Sequence, residues 1–457
     1  MTARHAVLLA ASLLVVAACG DTDTERATAG DPGTDTRTDT DTDTHGTVRV
    51  DDGAAPSPSG SSPSGSEPPP AAPNVGLDPA AFGSDLERAP IDPGAPVDAL
   101  VTGWNDAGFD LLRREAGDEN VVFSSASIGH ALQMASAAGD PATRSVIESA
   151  FGLPVGSHDA WNALDQQIAA TQSDQVTVTI ADRIWPRSDV QPDQAWIDLL
   201  ASRHGADVVG LDYAGAPDAS RDVINDWVSD QTGDLIPELL PDGFVDPQTL
   251  LVLTDTVYFA AEWAVPFGKY GPVDGTFTTA AGDEVDIEFL RELELFDRRG
   301  VGDGFVGAEI PYAGGEWSML VLVPDAGRFD EVVGRLDQRL LDEIDASFTT
   351  GPYELLLPTW STNHQIDLLP WLAELGMVPG RFPGIAPGAV LDAAVHAADI
   401  TVDENGTVAA AATALGFAES GAPDPELTIA ADRPFVYVIR HRDSGLALFT
   451  GTVSDPR

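Results

Sequence analysis

Cysteine occurs once in the 457 residues, at Cys19. The chain therefore has no internal disulfide and no cysteine–histidine set of zinc-ligand spacing. Neither a G-x-S-x-G elbow nor an H-E-x-x-H helix is present, so a serine hydrolase or a zinc protease has no motif to stand on. The eight histidines are scattered, and each reads singly as a core or surface residue rather than a ligand. Asp403, Asn405 and Thr407 imitate the first turns of a calcium loop, but the position that needs a bidentate glutamate is Ala414. The expectation is a protein without catalytic residues, metal or cofactor, and not an enzyme.

What remains is one odd stretch, DENGTVAAAATALGFAESGAPDPE, from Asp403 to Glu426. Its alanines favour helix, yet HAADITV before it and FVYVIRH after it are strand formers. The second half has the Gly, Pro and charge of an exposed loop. A run of small residues between two strands needs a reason.

The elements around it narrow the reason. Leu100, Val101, Trp104, Gly108, Leu111 and Leu112 share one helical face, and a second helix follows Ser127, with Ile128, Ala131, Leu132, Ala135 and Ala138 inward. QVTVTI alternates as a half-exposed strand does, whereas TLLVLTDTVYF is almost continuously apolar, as a central strand covered on both faces would be. No low-complexity break interrupts residues 96–457, which read as one α+β domain. Upstream, MTARHAVLLAASLLVVAAC is a secretory signal with a basic start, an apolar run and small residues before Cys19. Its VVAAC ending resembles a bacterial lipobox, which implies a signal peptide over 1–18 and lipid attachment at Cys19. Residues 19–95, with TDTRTDTDTDTH and PSPSGSSPSGSEPPPAAP, form a solvated tether. The expected location is extracytoplasmic, held to the cell membrane by the lipid alone, facing the cell surface or the periplasm. Lys and Arg total 24 against 73 Asp and Glu, a net charge of -49, which excludes nucleic acid as a partner.

Six segments in order resemble the serpins, the family of conformationally active protease inhibitors. They are NVVFSSASIGHALQMASAAGDPATRSVIESAFG, INDWVSDQTGDLIPELLPDGFVDPQTLLVLTDTVYFAAEWAVPF, LLLPTWSTNHQIDLLPWLAELGM, VHAADITVDENGTVAAAATA, ADRPFVYVIRH and GLALFTGTVSDP. The resemblance covers most of 96–457 and implies a multi-helix domain around a large mixed central β-sheet, with smaller sheets and an exposed reactive-centre loop. It also implies a function. The segment after VDENGT would start as a loop and end as an extra strand inside the main sheet, once a serine protease has attacked it and formed an acyl-enzyme. A strand entering a packed sheet must turn small side chains inward, since overpacking costs about 1–3 kcal/mol. Thr407, Ala409, Ala411 and Thr413 would face inward together, with Glu404 and Gly406 at the hinge.

The reactive bond implied by counting from the hinge is Ser420–Gly421; counting backward from RPF lands near Pro423, and Phe417 or Leu415 would suit a chymotrypsin-like pocket. Ser420 suits elastase-like or subtilisin-like extracellular proteases, engaged by a monomer. The sheet-opening positions correspond to Ser127, Asp255, His396 and Trp263. Asp255 replaces the family's usual asparagine, Ser125 its proline and Val408 its glutamate, and Asp255 is expected to pair with His396. The alternative reading is a non-inhibitory surface binding protein of the same fold, against which stands the hinge stretch GTVAAAATA, free of bulky, charged or proline residues.

Overall fold

The computed structural model describes residues 10–20, 83–234, 236–377, 379–407 and 427–457, the first of these as backbone only. Cys19 lies in that first stretch. Ala409, Ala411, Thr413, Phe417, Ser420 and Gly421, and with them the reactive bond, lie outside the described residues.

In chain order the elements are β1 (Ala10–Gly20), α1 (Val97–Glu115), β2 (Val121–Phe123), α2 (Ser125–Ser136), α3 (Pro141–Ala150), α4 (Ser157–Ala169) and β3 (Val176–Pro186). Helix α5 (Gln194–Leu199) runs into a π-helical turn, Leu200–His204, followed by β4 (Asp207–Val208), α6 (Pro217–Gln231) and β5 (Thr249–Glu262). The antiparallel run β6 (Val273–Thr278), β7 (Glu284–Gly302), β8 (Phe305–Pro311) and β9 (Trp317–Pro324) leads to α7 (Phe329–Arg335) and α8 (Gln338–Ser347). The chain closes with β10 (Thr349–Pro358), β11 (Trp360–Asp367), α9 (Leu369–Glu374), β12 (Ala389–Val402), β13 (Gly406–Thr407), β14 (Thr428–Ala430), β15 (Phe435–His441) and β16 (Ala447–Val453).

Among the described residues two sheets organise the domain. The central one runs β11, β12, then β13 and β1 in one slot, then β5, β3 and β4; the other runs β14, β10, β7, β8, β9, β15, β16 and β2, with β6 on β7. Strand β5 is buried along nearly its whole length, as a continuous apolar run predicts, while β3 alternates only over its first residues. Helix α1 buries Leu100, Val101, Trp104, Leu111 and Leu112. Helix α2 begins earlier than its apolar periodicity suggests: the Ser124 hydroxyl accepts from the Ser127 backbone N–H and caps it. Gly129 lets α2 sit directly on the Trp104 ring of α1, where a Cβ would lie 2.7 Å from the indole. These helices cover the central sheet from one side, and a smaller core of Trp185, Tyr213, Ile224 and Val228 packs α6 onto it from the other.

One arrangement was not foreseen. Strand β1, drawn from the stretch expected to be a leader, lies antiparallel to β12 on one side and to β5 on the other.

Candidate functional site: the opening of the central sheet

Strands β5 and β12 do not pair directly over most of their length; other chain segments fill the slot between them. At its head is the hinge. Asp403 Oδ1 accepts from the backbone N–H groups of Asn405 and Gly406, at 2.7 and 3.2 Å, which turns the chain sharply into β13. The carboxylate thus caps a turn, the job that its calcium-loop mimicry concealed. Gly406 then enters the slot opposite Glu262, where a Cβ would overlap the Ala261 carbonyl. Thr407 follows, paired with Ala261 on β5 and with Val402 on β12. It is fully buried, and its hydroxyl is 2.5 Å from the Tyr312 hydroxyl.

Trp263 builds the wall of this head. Its Nε1–H donates to the Asp403 carbonyl at 3.0 Å, its backbone N–H donates to the Asn405 carbonyl, and its ring stacks on Tyr312 at 4.5 Å and 8°. Glu404 points outward, its carbonyl taking the Phe267 N–H. Glu404, Gly406, Thr407 and Trp263 therefore assemble at one end of the opening.

Halfway down, Ser127, Asp255 and His396 flank the opening, all fully buried. His396 Nε2 accepts from the Ser124 backbone N–H at 3.0 Å, and the Ser127 hydroxyl faces the Asp255 carbonyl oxygen at 3.5 Å. The expected pairing of Asp255 with His396 is corrected here. The Asp255 carboxylate turns instead to His130 on α2, with Oδ2 2.5 Å from Nδ1. Asp182, opposite Asp255 on β3, reaches the same nitrogen at 3.3 Å. His130 Nε2 lies 2.7 Å from His204 Nδ1, and His204 Nε2 lies 2.8 Å from His158 Nδ1. Asp255 faces α2 and the helices behind it, so His130 is within reach and His396, on the far side of the slot, is not.

Electrostatics orders this chain. Burial pulls the His130 imidazolium down, but Asp182 and Asp255 outweigh it and hold its pKa up at about 10. Burial pushes Asp182 up to about 8 against the pull of His130. His204 falls well below its ordinary value, and His158 falls to about 4, through burial and the nearby His130 charge. A protonated His130 thus donates at both nitrogens, and His204 passes the hydrogen-bond direction outward to His158. Sequence reasoning missed this cluster, because its five members are spread from residue 130 to residue 255 on five different elements. Asp182 and Asp255 facing each other across two strands was the available signal.

A sheet parted between two strands, with a small-residue segment starting into the gap at its head, is the architecture of a serpin. The family model described as serine protease inhibitor matches residues 103–456, and the chain belongs to the serpin family. The leukocyte elastase inhibitor of Bos taurus is 30% identical over 355 residues, covering 74% of this chain and 93% of that protein. Among solved structures, the thermophilic serpin tengpin in its native state is similar with a TM-score of 0.69 and 22% identity, over 82% of this chain and 97% of its own. Human thyroxine-binding globulin in complex with its hormone gives a TM-score of 0.67 at 22% identity, over 79% and 99%. The fold is therefore shared by an inhibitor and by a thyroxine-binding globulin.

Proposed function

We propose that the protein inhibits extracellular serine proteases as a suicide substrate, by acyl-enzyme formation followed by insertion of its loop into the central sheet. The observation that carries this reading is the pairing of Gly406 with β5 and of Thr407 with both β5 and β12 at the head of the slot. Continuing that register would set Ala409 opposite Phe259, Thr413 opposite Asp255 and Glu419 opposite Thr249, where β5 begins. The small residues thus match the strand they must lie against, and Ser420–Gly421 falls just past its end. From Thr407 to Ser420 an extended chain covers about 46 Å at roughly 3.3 Å per residue, so a tethered protease would be carried the length of the domain. A small residue before the cut suits an elastase-like or subtilisin-like pocket, and the likeness to an elastase inhibitor agrees with it.

The slot below Thr407 is held by β1: Ala10 already sits opposite Phe259. Cleavage before Cys19 would remove nine of its eleven residues, Ala10 to Ala18, and vacate the path. Lipid attachment at Cys19 would then hold the domain outside the membrane on the tether, and no helix among the described residues is long and apolar enough to cross one. Replacing Cys19 with Ser should release the protein to the medium and end its labelling by lipid; persistent labelling would place the lipid elsewhere.

The function is tested by incubating a chain that starts at residue 21, and the unprocessed chain, with a panel of serine proteases. The shorter chain should form an SDS-stable complex and release a peptide beginning at Gly421, and the unprocessed chain should form far less. Cleavage without any stable complex, across the panel, would instead favour the second reading: a binding protein of the same fold, supported by the likeness to a thyroxine-binding globulin.

A further inference from the structure

We propose that His130, Asp182 and Asp255 form a binding site for a divalent first-row cation, zinc by preference, between helix α2 and the central sheet. The donor atoms of these three residues lie within 4.8 Å of one another. Each is rigidly placed: His130 by α2, with its ring stacked on Trp161 at 3.8 Å, and the two aspartates by their direct register across β3 and β5. His130 and Asp255 are fully buried, and the Asp182 side chain is 4% exposed.

Two carboxylates so placed are a poor arrangement for a purely structural core. One imidazolium balances only one ionised carboxylate, so without a cation the second must keep its proton or stand uncompensated at a cost of several kcal/mol. A dication balances both. A further observation points the same way: Asp255 Oδ1 is buried with no hydrogen-bond partner, while its Oδ2 takes the contact with His130. Ligand bonds of about 2.1 Å in a tetrahedral zinc centre separate the donor atoms by about 3.4 Å. His130 Nδ1 and Asp182 Oδ1 already stand 3.3 Å apart. Asp255 has only to turn its carboxylate by roughly 1 Å for the set to close.

The surroundings have what such a site requires. A histidine bound through Nδ1 carries its proton on Nε2 and needs an acceptor there, which fixes its tautomer. His204 Nδ1 stands 2.7 Å from that nitrogen, and His158 takes the next bond at 2.8 Å. An entry route exists as well. A cavity of about 260 Å³ beside Arg88, Asp165 and Asp207 has Asp182 and His204 in its wall. Three protein ligands leave a fourth position for water. No nucleophile or substrate cleft adjoins it, so the chemistry is structural: the ion would fasten β3 and β5 to α2 on one flank of the opening.

The test is zinc titration of the untagged full chain by calorimetry, with cobalt as an optical probe and X-ray absorption on the zinc complex. One saturable site per chain is expected, with one imidazole nitrogen and carboxylate oxygens around the ion and visible bands of a low-coordinate cobalt centre. Asp182→Asn and Asp255→Asn, each isosteric, should weaken binding by more than about 100-fold, and His204→Gln by about 10–100-fold. The acidic tether is common to all four proteins, so differences between them report the cluster alone. Absence of a saturable site in the parent chain overturns the proposal, as does a zinc shell without imidazole. Binding retained in both folded aspartate variants would overturn it too. If either variant fails to fold, the absorption spectrum of the parent decides.

Discussion

The two sheets of this protein treat their central strands differently. In the larger one, β9 runs Met319-Leu320-Val321-Leu322-Val323 beside the Phe435–Ile439 run of β15, every residue buried and the Tyr437 hydroxyl, bonded to the Val121 carbonyl, the one polar side-chain group in the two runs. In the central sheet, β5 is just as buried, but Thr254, Asp255 and Thr256 occupy its middle, on the strand that borders the slot headed by Thr407. The apolar seam gains from every contact and has nothing to lose by staying shut. The polar seam carries groups that protein atoms do not fully satisfy, such as Thr256 Oγ1 and Asp255 Oδ1, each costing about 1–3 kcal/mol. The proposed exchange of one strand for another would need a seam that is held but not maximally stabilised, and the two seams differ in that sense.

The comparison breaks most visibly at Thr407. This residue has no exposure and sits between two strands, so Thr407→Arg would force a guanidinium into the head of the slot. An unpaired buried charge costs several kcal/mol, and each ~1.4 kcal/mol in a barrier slows a step tenfold. Insertion should slow by orders of magnitude while attack on the loop proceeds, so water hydrolyses the acyl-enzyme, active protease is released and little SDS-stable complex forms. Val408→Arg, one residue on and of opposite facing, should inhibit almost as the parent does. Equal trapping by the Thr407→Arg variant would remove insertion from the mechanism.

How much of this was legible beforehand follows from where each signal lies along the chain. The fold was readable because its motifs are contiguous: the apolar run of β5, the small residues after Gly406 and the strand formers of β15 each declare themselves within about ten residues. The head of the opening was readable for the same reason, since Asp403 to Thr407 form one continuous turn and strand. The partner of Asp255 was not. Register between β3 and β5 and the placing of His130 on α2 decide it, and neither is a property of a short window. Strand β1 was missed for a different reason. Its apolar, small-residue composition suits a leader and suits a sheet slot equally, and composition alone does not choose.

A second, smaller effect sharpens the contrast between the seams. Leu320→Ala, in the apolar seam of β9, should lose about 2–5 kcal/mol, the usual result of a cavity in a packed core. Thr256→Val, in the polar seam, removes a buried hydroxyl that has no protein partner and should be neutral or slightly stabilising. Thermal or denaturant unfolding of the loop-intact forms measures both. If Thr256→Val destabilises as strongly as Leu320→Ala, the polar seam is as tightly optimised as the apolar one and the distinction between them fails.

The finest test concerns how the hinge is held before any protease arrives. The Tyr312 hydroxyl and the Thr407 hydroxyl are 2.5 Å apart, both buried, in a wall formed by the Tyr312 ring on Trp263. Burial keeps the phenol protonated well above its ordinary range, so it can donate to Thr407 at any physiological pH. A neutral hydrogen bond of this kind contributes about 1 kcal/mol net. Tyr312→Phe keeps the ring and its stacking, and Thr407→Val keeps the shape of the inward side chain, so each removes one end of the bond alone. Each single change should cost about 1 kcal/mol, and the double change little more than either, giving a coupling of about 1 kcal/mol in a double-mutant cycle. The bond ties the first inserted residue to a strand outside the slot, at the bridge between Tyr312 and Trp263. Weakening it leaves Thr407 paired on both sides and Gly406 paired with β5, so trapping of protease should change far less than with Thr407→Arg. Additive stabilities in the cycle would mean that the two hydroxyls do not hold each other, and that backbone pairing alone keeps the hinge seated.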